Sequence, residues 1–239
     1  MRAILCGANG AMGKLIDAAL GVEVVGRVSI DGENNVPKTF AELGKVDADV
    51  LIDFSHHSAI ADVLDYAKSI GCAAVIGTTG HTPEEKALIA EAAKEIPVFF
   101  SGNMSLGIAV LCRLAKQAAS FFPDADIEIV EVHHNRKVDA PSGTALLLGN
   151  AIKKVRQNAI FNMGRSGMAK RTPEEIGFHA IRRGNIPGIH EVIVSTDNQC
   201  ITLKHEVYDR ALFADGALSA ARFRAGKTPG MYEMADIIK

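Results

Sequence analysis

Near the middle of this 239-residue chain, Glu131, His133, His134, Arg136, Lys137 and Asp139 crowd carboxylates, imidazoles and cations into one short segment. Pro141-Ser142-Gly143-Thr144 follows, and then the apolar run Ala145-Leu-Leu-Leu-Gly-Asn-Ala-Ile152. A small-residue turn leading into an apolar helix leaves the first backbone N–H groups without intrahelical partners. It also presents the positive end of the helix dipole, which suits a carboxylate or phosphate. Proton donors lie just upstream of that anion site. A solitary His133 or His134 would read as a hydrogen-bonded structural histidine. Beside Lys137 and the Ser-Gly-Thr turn, the segment reads instead as an active site for an acidic small molecule.

A second segment with chemical content opens the chain. Ala3-Ile4-Leu5-Cys6 reads as a buried strand, and Leu15, Ile16, Ala19 and Leu20 as the apolar face of a helix. Between them stand Gly7, Gly10 and Gly13 at the spacing G-x-x-G-x-x-G, a variant of the dinucleotide fingerprint. Gly7 permits a tight turn, Gly10 lets backbone approach a pyrophosphate, and Gly13 allows close packing of helix on strand. Asp31 follows Gly13 at close to the ~20-residue interval of a ribose-binding carboxylate, which would favour NADH. Arg27 or another cation would instead meet the 2′-phosphate of NADPH, and strand register decides whether Arg27 faces that site.

These residues need elements to position them. Short apolar runs alternate with helical patterns through the first hundred residues. Strands are expected at 3–6, 22–30, 50–54, 73–76 and 97–100, with helices at 59–70 and from 83 to about 95. Thr82-Pro83-Glu84-Glu85 carries the residues of a capping box. Such a β-α-β alternation predicts a Rossmann-type doubly wound parallel sheet. From about 108 a helix (109–121) leads to strands with more polar alternation at 126–132, 178–182, 191–195 and 199–205. These predict a second α+β domain with a mixed or antiparallel sheet. The helix at 213–223 packs back on the first domain. The expected division is 1–104 plus 211–239 for dinucleotide binding and 105–210 for substrate binding and oligomerisation.

Composition narrows the class. Hydrophobic residues make up 48% and charged residues 23%, with a formal net charge of −2. That balance gives no electrostatic reason to expect nucleic acid or an acidic membrane surface. No apolar run reaches the ~18 residues needed to span a bilayer, and Met1-Arg2 with a short strand is not a signal-peptide pattern. Cys6, Cys72, Cys112 and Cys200 are scattered, so buried thiols in a reducing cytoplasm are expected and a metal site is not.

The segment Glu131-Val-His-His-Asn-Arg-Lys-Val-Asp-Ala-Pro-Ser-Gly-Thr-Ala145 is similar to the E-x-H-H-x-x-K-x-D-A-P-S-G-T-A motif of the dihydrodipicolinate (4-hydroxy-tetrahydrodipicolinate) reductases. The resemblance extends in family order through Gly7-Ala-Asn-Gly10-x-Met12-Gly13, Asp53-Phe54-Ser55, Gly77-Thr78-Thr79-Gly80 and Ser101-Gly102-Asn-Met104-Ser-Leu-Gly107. It continues through Gly164-Arg-x-Gly167, Ile176-Gly-Phe178, Arg182-x-Gly-x-Ile-x-Gly188, His190-Glu191 and His205. It implies reduction of a cyclic unsaturated dicarboxylate to tetrahydrodipicolinate in lysine and diaminopimelate biosynthesis, with NADH or NADPH as donor.

The same resemblance implies residue roles. His133 is the general acid, and Lys137 and His134 stabilise developing charge and grip a carboxylate. Ser142, Gly143 and Thr144 hold a carboxylate at the helix N-terminus, while Glu131 and Asp139 orient neighbours. Gly7, Asn9, Gly10, Met12, Gly13, Asp31, Phe54, Gly77, Thr78, Thr79, Ser101, Gly102 and Met104 line the cofactor crevice, and a homotetramer forms through the second domain. His190 and His205 read equally as sheet histidines, Arg136 as solvated, and Arg182 and Arg183 as serving domain folding or subunit contacts. The family commonly has Asp-Phe-[Ser/Thr]-x-Pro. Here His57 stands at the proline position, so no role passes to His56 or His57. Two other readings compete: a different NAD(P)-dependent imine or amino-acid dehydrogenase, and a nucleotide sensor without turnover. Neither needs the His133–Lys137 pair with its dicarboxylate grip.

Overall fold

The computed structural model describes residues 1–19, 21–223 and 226–238; Leu20 of the expected helical face lies outside them. The chain divides into two compact units, Met1–Ser105 with Ala211–Lys239 and Leu106–Arg210. The first unit begins with β1 (Arg2–Cys6), α1 (Ala11–Asp17), β2 (Glu23–Val28), α2 (Phe40–Leu43), β3 (Val50–Asp53) and α3 (Ile60–Ile70). It continues with β4 (Ala73–Ile76), α4 (Pro83–Ala92) and β5 (Pro97–Phe100). β3 and β4 are buried along their whole length, as strands covered on both faces must be. Gly71, in the left-handed region at φ 66°, ends α3. Thr82 and Glu85 cap α4 reciprocally with Pro83 in its first turn. β2 stops at Val28, short of the expected residue 30. Ser29 N–H donates to Pro37 O instead of to a strand, and Ile30 is left 90% exposed.

The second unit contains α5 (Leu106–Phe121), β6 (Asp126–His133), α6 (Gly143–Lys153) and β7 (Ile160–Asn162). β8 (Glu175–Arg182), β9 (Ile189–Thr196) and β10 (Gln199–Glu206) complete it. The sheet runs β10-β9-β6-β8-β7, with parallel pairing of β6, β8 and β7 and antiparallel pairing of β6, β9 and β10. Ile127, Ile129, Phe178, Val192 and Val194 pack with Leu111, Leu148 and Ile152 of α5 and α6. Gly149 lets α6 approach, since a Cβ there would stand 2.6 Å from the Phe178 ring. Residues two apart share a face, so the register extends this apolar face into polar rows. Glu131 lies between Ala180 and His190, His190 beside His205, and His133 beside Arg182.

The chain then returns to the first unit as α7 (Ala211–Phe223), β11 (Gly230–Tyr232) and α8 (Met234–Ile237). The six strands are all parallel in the order β11-β5-β4-β3-β1-β2, a doubly wound sheet of Rossmann type. α3 and α4 cover Ile4, Leu51, Ala74, Ile76 and Val98, while α7 packs against α1, β3 and β4. Winding reverses beside β1, whose carboxyl end carries Gly7, the place where open α/β sheets take ligands. The four cysteines are thiols. Cys6 and Cys72 are buried as expected, Cys112 is half-buried, and Cys200 is exposed because it falls on the outer edge strand β10. Among the described residues no helix is long and apolar enough to cross a membrane.

Candidate active site

Glu131 is completely buried at the polar end of the β6 face. Its Oε1 accepts from Ser142 N–H (3.0 Å) and Arg182 Nη2 (2.7 Å), and its Oε2 from Arg182 Nη1 (2.7 Å). His133 Nδ1 lies 2.5 Å from the same Oε2. Burial opposes ionisation of this carboxyl, but the hydrogen bonds from His133, Arg182 and Ser142 outweigh it and hold the pKa down at about 2. An ionised carboxylate only accepts, so His133 Nδ1 carries a proton and Nε2 is the nitrogen left for a ligand. A Cβ on Gly188 would stand 3.2 Å from Nε2. Glycine keeps that nitrogen from being covered.

His190 is buried with its Nε2 3.1 Å from Ser142 Oγ and its ring edge-on to His133, 5.1 Å between centroids. Burial, followed by the charge of His133, pushes its pKa down to about 3. Of these adjacent imidazoles, His190 therefore stays neutral through the physiological range. Ser142 is the N-cap of α6: its Oγ accepts from Ala145 N–H at 3.2 Å. Gly143 stands in the open, with nothing within 4 Å of where a Cβ would be. The helix start is thus fastened from below by Glu131 and His190 while its first backbone groups remain approachable.

Lys137 closes a turn on His134, N–H to O at 3.1 Å, and its Nζ lies 2.7 Å from Asp139 Oδ1. Asp139 O in turn accepts from Arg182 Nη2 at 2.6 Å, which ties the lysine pair to the Glu131 network. Burial, then the charges of Arg136, Arg210, His133 and Lys137, hold the His134 pKa below the usual imidazole range. Arg136 donates to Asn185 Oδ1 at 2.5 Å and stays exposed. An imidazole, an ammonium, a helix N-terminus and surrounding cations together form an arrangement able to hold an anion and to give it a proton.

In the first unit Gly7 has φ 80°, and a Cβ there would stand 2.4 Å from Phe54 O. A Cβ on Gly13 would stand 2.3 Å from Gly7 O, so α1 can start against the turn only with glycine at that position. Beside this turn opens a cavity of about 1140 Å³ whose lining includes Gly7, Gly10, Asp31, Lys38, Phe54 and His56. Its size and its side-chain-free glycine edge fit a nucleotide. Asn9 Nδ2 donates to Asp31 Oδ1 at 2.5 Å; this bond and the Glu33 N–H hold the Asp31 carboxyl below its usual range.

Arg27 turns to Asp17 of α1, Nη2 to Oδ1 at 2.5 Å, and does not line the cavity. The Phe54 ring lies across Gly77, where a Cβ would stand 2.4 Å from Cε1. Thr78 turns its hydroxyl inward to Asp53 at 2.6 Å, and Met104 is buried. Met12 is half-buried, Thr79 and Gly102 are exposed, and Ser101 Oγ donates to Asn103 O at 2.7 Å. His57 Nδ1 lies 2.9 Å from both oxygens of Glu85, so at the proline position this chain has an imidazole tied to the α4 cap.

Sequence reasoning left out Lys38 and gave Gly188, Arg182 and His190 no place in the site. Arg182 and His190 are in register with His133 and Glu131 on neighbouring strands, and only a correct strand pairing reveals that.

Residues 1–104 match the family model described as dihydrodipicolinate reductase, N-terminus, and residues 107–238 match that for the C-terminus. A 4-hydroxy-tetrahydrodipicolinate reductase of Clostridium novyi (strain NT) is 43% identical, covering 100% of this chain and 98% of its own. One from Caldanaerobacter subterraneus subsp. tengcongensis is 45% identical, again covering 100% and 98%. The fold resembles that of dipicolinate-bound dihydrodipicolinate reductase from Paenisporosarcina sp. TG-14, with a TM-score of 0.77 at 21% identity over 100% of this chain and 99% of that one. With matched models spanning both units, the chain belongs to the dihydrodipicolinate reductase family.

Proposed function

We propose that this protein reduces 4-hydroxy-tetrahydrodipicolinate (dihydrodipicolinate) to tetrahydrodipicolinate in diaminopimelate and lysine biosynthesis, using NADH or NADPH. The carrying observation is the buried Glu131 carboxylate, which holds His133 by Nδ1 and the α6 cap by its N–H, so that acid and anion site share one anchor. A bound nicotinamide cofactor supplies the hydride. Hydride addition to a conjugated ring leaves negative charge that a positioned donor must quench. In this reading His133 gives its proton from Nε2, and the ionised Glu131 stabilises the imidazolium beforehand. Lys137 exchanges Asp139 for a substrate carboxylate, with His134 beside it. Ser142, Gly143 and Thr144 receive a carboxylate at the start of α6.

The turn Gly7, Asn9, Gly10, Met12 and Gly13, with Asp31, Phe54, Gly77, Thr78, Thr79, Ser101, Gly102 and Met104, serves the cofactor. Residues 1–104 and 211–239 bind the dinucleotide, and 105–210 bind substrate and assemble a cytoplasmic homotetramer. The open face of the second sheet, with Ile181 43% exposed, offers surface for that assembly. Calorimetric titration with pyridine-2,6-dicarboxylate tests the reading. Binding that strengthens with cofactor and is lost in Lys137→Met is expected. Indifference to the compound in folded, cofactor-loaded protein would instead favour another imine or amino-acid dehydrogenase, or a sensor.

A further inference from the structure

The buried hydroxyl that caps α6 has partners that decide where its proton can go. Ser142 N–H is committed to Glu131 Oε1, and Ser142 Oγ accepts from Ala145 N–H at 3.2 Å. A hydroxyl has one proton to give and two lone pairs to fill. The other partner of this Oγ among the described residues is His190 Nε2, at 3.1 Å. A neutral imidazole can meet it in two ways. With its proton on Nε2, His190 fills the second lone pair and leaves the hydroxyl proton for a ligand. With its proton on Nδ1, Nε2 takes the hydroxyl proton and leaves a bare lone pair toward an arriving anion.

Burial decides between the two. It keeps a second proton off the ring, whose pKa is pushed down to about 3. The Nδ1 atom is buried, with no hydrogen-bond partner among the described residues. A proton there would be a donor without an acceptor, whereas a bare nitrogen is only an unfilled acceptor. Orphaned buried donors are the rarer of the two in folded proteins. The backbone N–H groups of the first turn of α6 can only donate. The hydroxyl among them can donate or accept, so a second group must fix its sense.

We propose that His190 is a positioning residue for the reduction: its Nε2–H fills the open lone pair of Ser142 Oγ and so turns the hydroxyl proton toward a substrate carboxylate at the start of α6. The inference rests on the dicarboxylate reading above. His190 acts through that one oxygen, which would otherwise present a lone pair to an anion.

Nitrogen-15 spectra of histidine-labelled, cofactor-loaded protein read the tautomer directly, with the His190 signals identified by their loss in His190→Gln. The expected result is a protonated Nε2 and a bare Nδ1 at neutral pH. The reverse would overturn the proposal and leave the reductase reading intact. Calorimetric titration of the same holoprotein with pyridine-2,6-dicarboxylate then separates positioning from packing. His190→Leu should weaken binding by about 10- to 100-fold, the scale of a lost hydrogen bond to a charged group. His190→Gln, whose amide can donate from the same place as Nε2, should stay within about threefold of the wild type. In a Ser142→Ala background, His190→Leu should add less than about twofold, because the oxygen it acts through is gone. An undiminished loss in that background, or no rescue by glutamine, would make His190 a packing residue and overturn the proposal. A folded wild type that binds no pyridine-2,6-dicarboxylate would remove the dicarboxylate reading and the proposal with it.

Discussion

His133 ends a chain of buried side chains, with Nδ1 committed to Glu131 and Nε2 beside Gly188. His133→Ala should lower kcat by about 10²–10⁴, the usual scale of a general acid, with cofactor affinity unchanged by calorimetry. Arg182 carries a different load, since both its terminal nitrogens meet the buried Glu131 carboxylate. Arg182→Met strands that charge and should cost about 3–5 kcal/mol in urea unfolding. Arg182→Lys should recover only part of it, because a single ammonium cannot match the two-pronged contact. A carboxyl held at about 2 contributes stability that is complete above the ordinary glutamate range and lost as pH falls toward 2. The motif residues were legible because they are contiguous in the chain. Arg182 was not, because it comes from 51 positions away and only the parallel pairing of β6 with β8 brings it to Glu131.

At the scale of elements, α6 is the helix that matters, because its first turn is both capped and approachable. Ser142→Ala removes the cap acceptor and should cost about 1 kcal/mol, raising KM for the dicarboxylate more than it lowers kcat. His190 beneath that cap stays neutral down to about pH 3. An unfolded chain binds a proton there from about pH 6.5 downward, so His190 makes the native state less stable as pH falls through that value. Between about pH 7.5 and about pH 5.5 its share of the loss is about 1.4 kcal/mol. Urea midpoints compared between wild type and His190→Asn should show a shallower acid-side decline in the variant; identical slopes would contradict the assignment. The long elements were readable from apolar periodicity and the Thr82–Glu85 cap. β7 and β11, at 3 residues each, were not, because so short a stretch has no period to detect. β2 ended early because the Ser29–Pro37 loop bond takes the backbone out of the sheet, and no side-chain pattern signals that bond.

At the scale of the whole molecule, two units carry two chemistries: a parallel sheet with its glycine turn and nucleotide-sized cavity, and a mixed sheet that ends in a polar row. The glycine spacing and the strand alternation made both legible in outline. The cavity's charged residues were only half legible, since Asp31 follows from spacing whereas Lys38 depends on a loop that closes on itself. Asp31→Ala should shift the ratio of NADPH to NADH use upward with little change in the chemical step, read from the two kcat/KM values. The most direct test is the oxidation of NADH and NADPH, followed by loss of reduced-nicotinamide absorbance, with substrate formed in place by condensing pyruvate and aspartate semialdehyde. Turnover that falls by about 10²-fold or more in His133→Ala is the predicted result. Folded, cofactor-bound protein that consumes neither cofactor would contradict it, and the family likeness would then be one of architecture without this reaction.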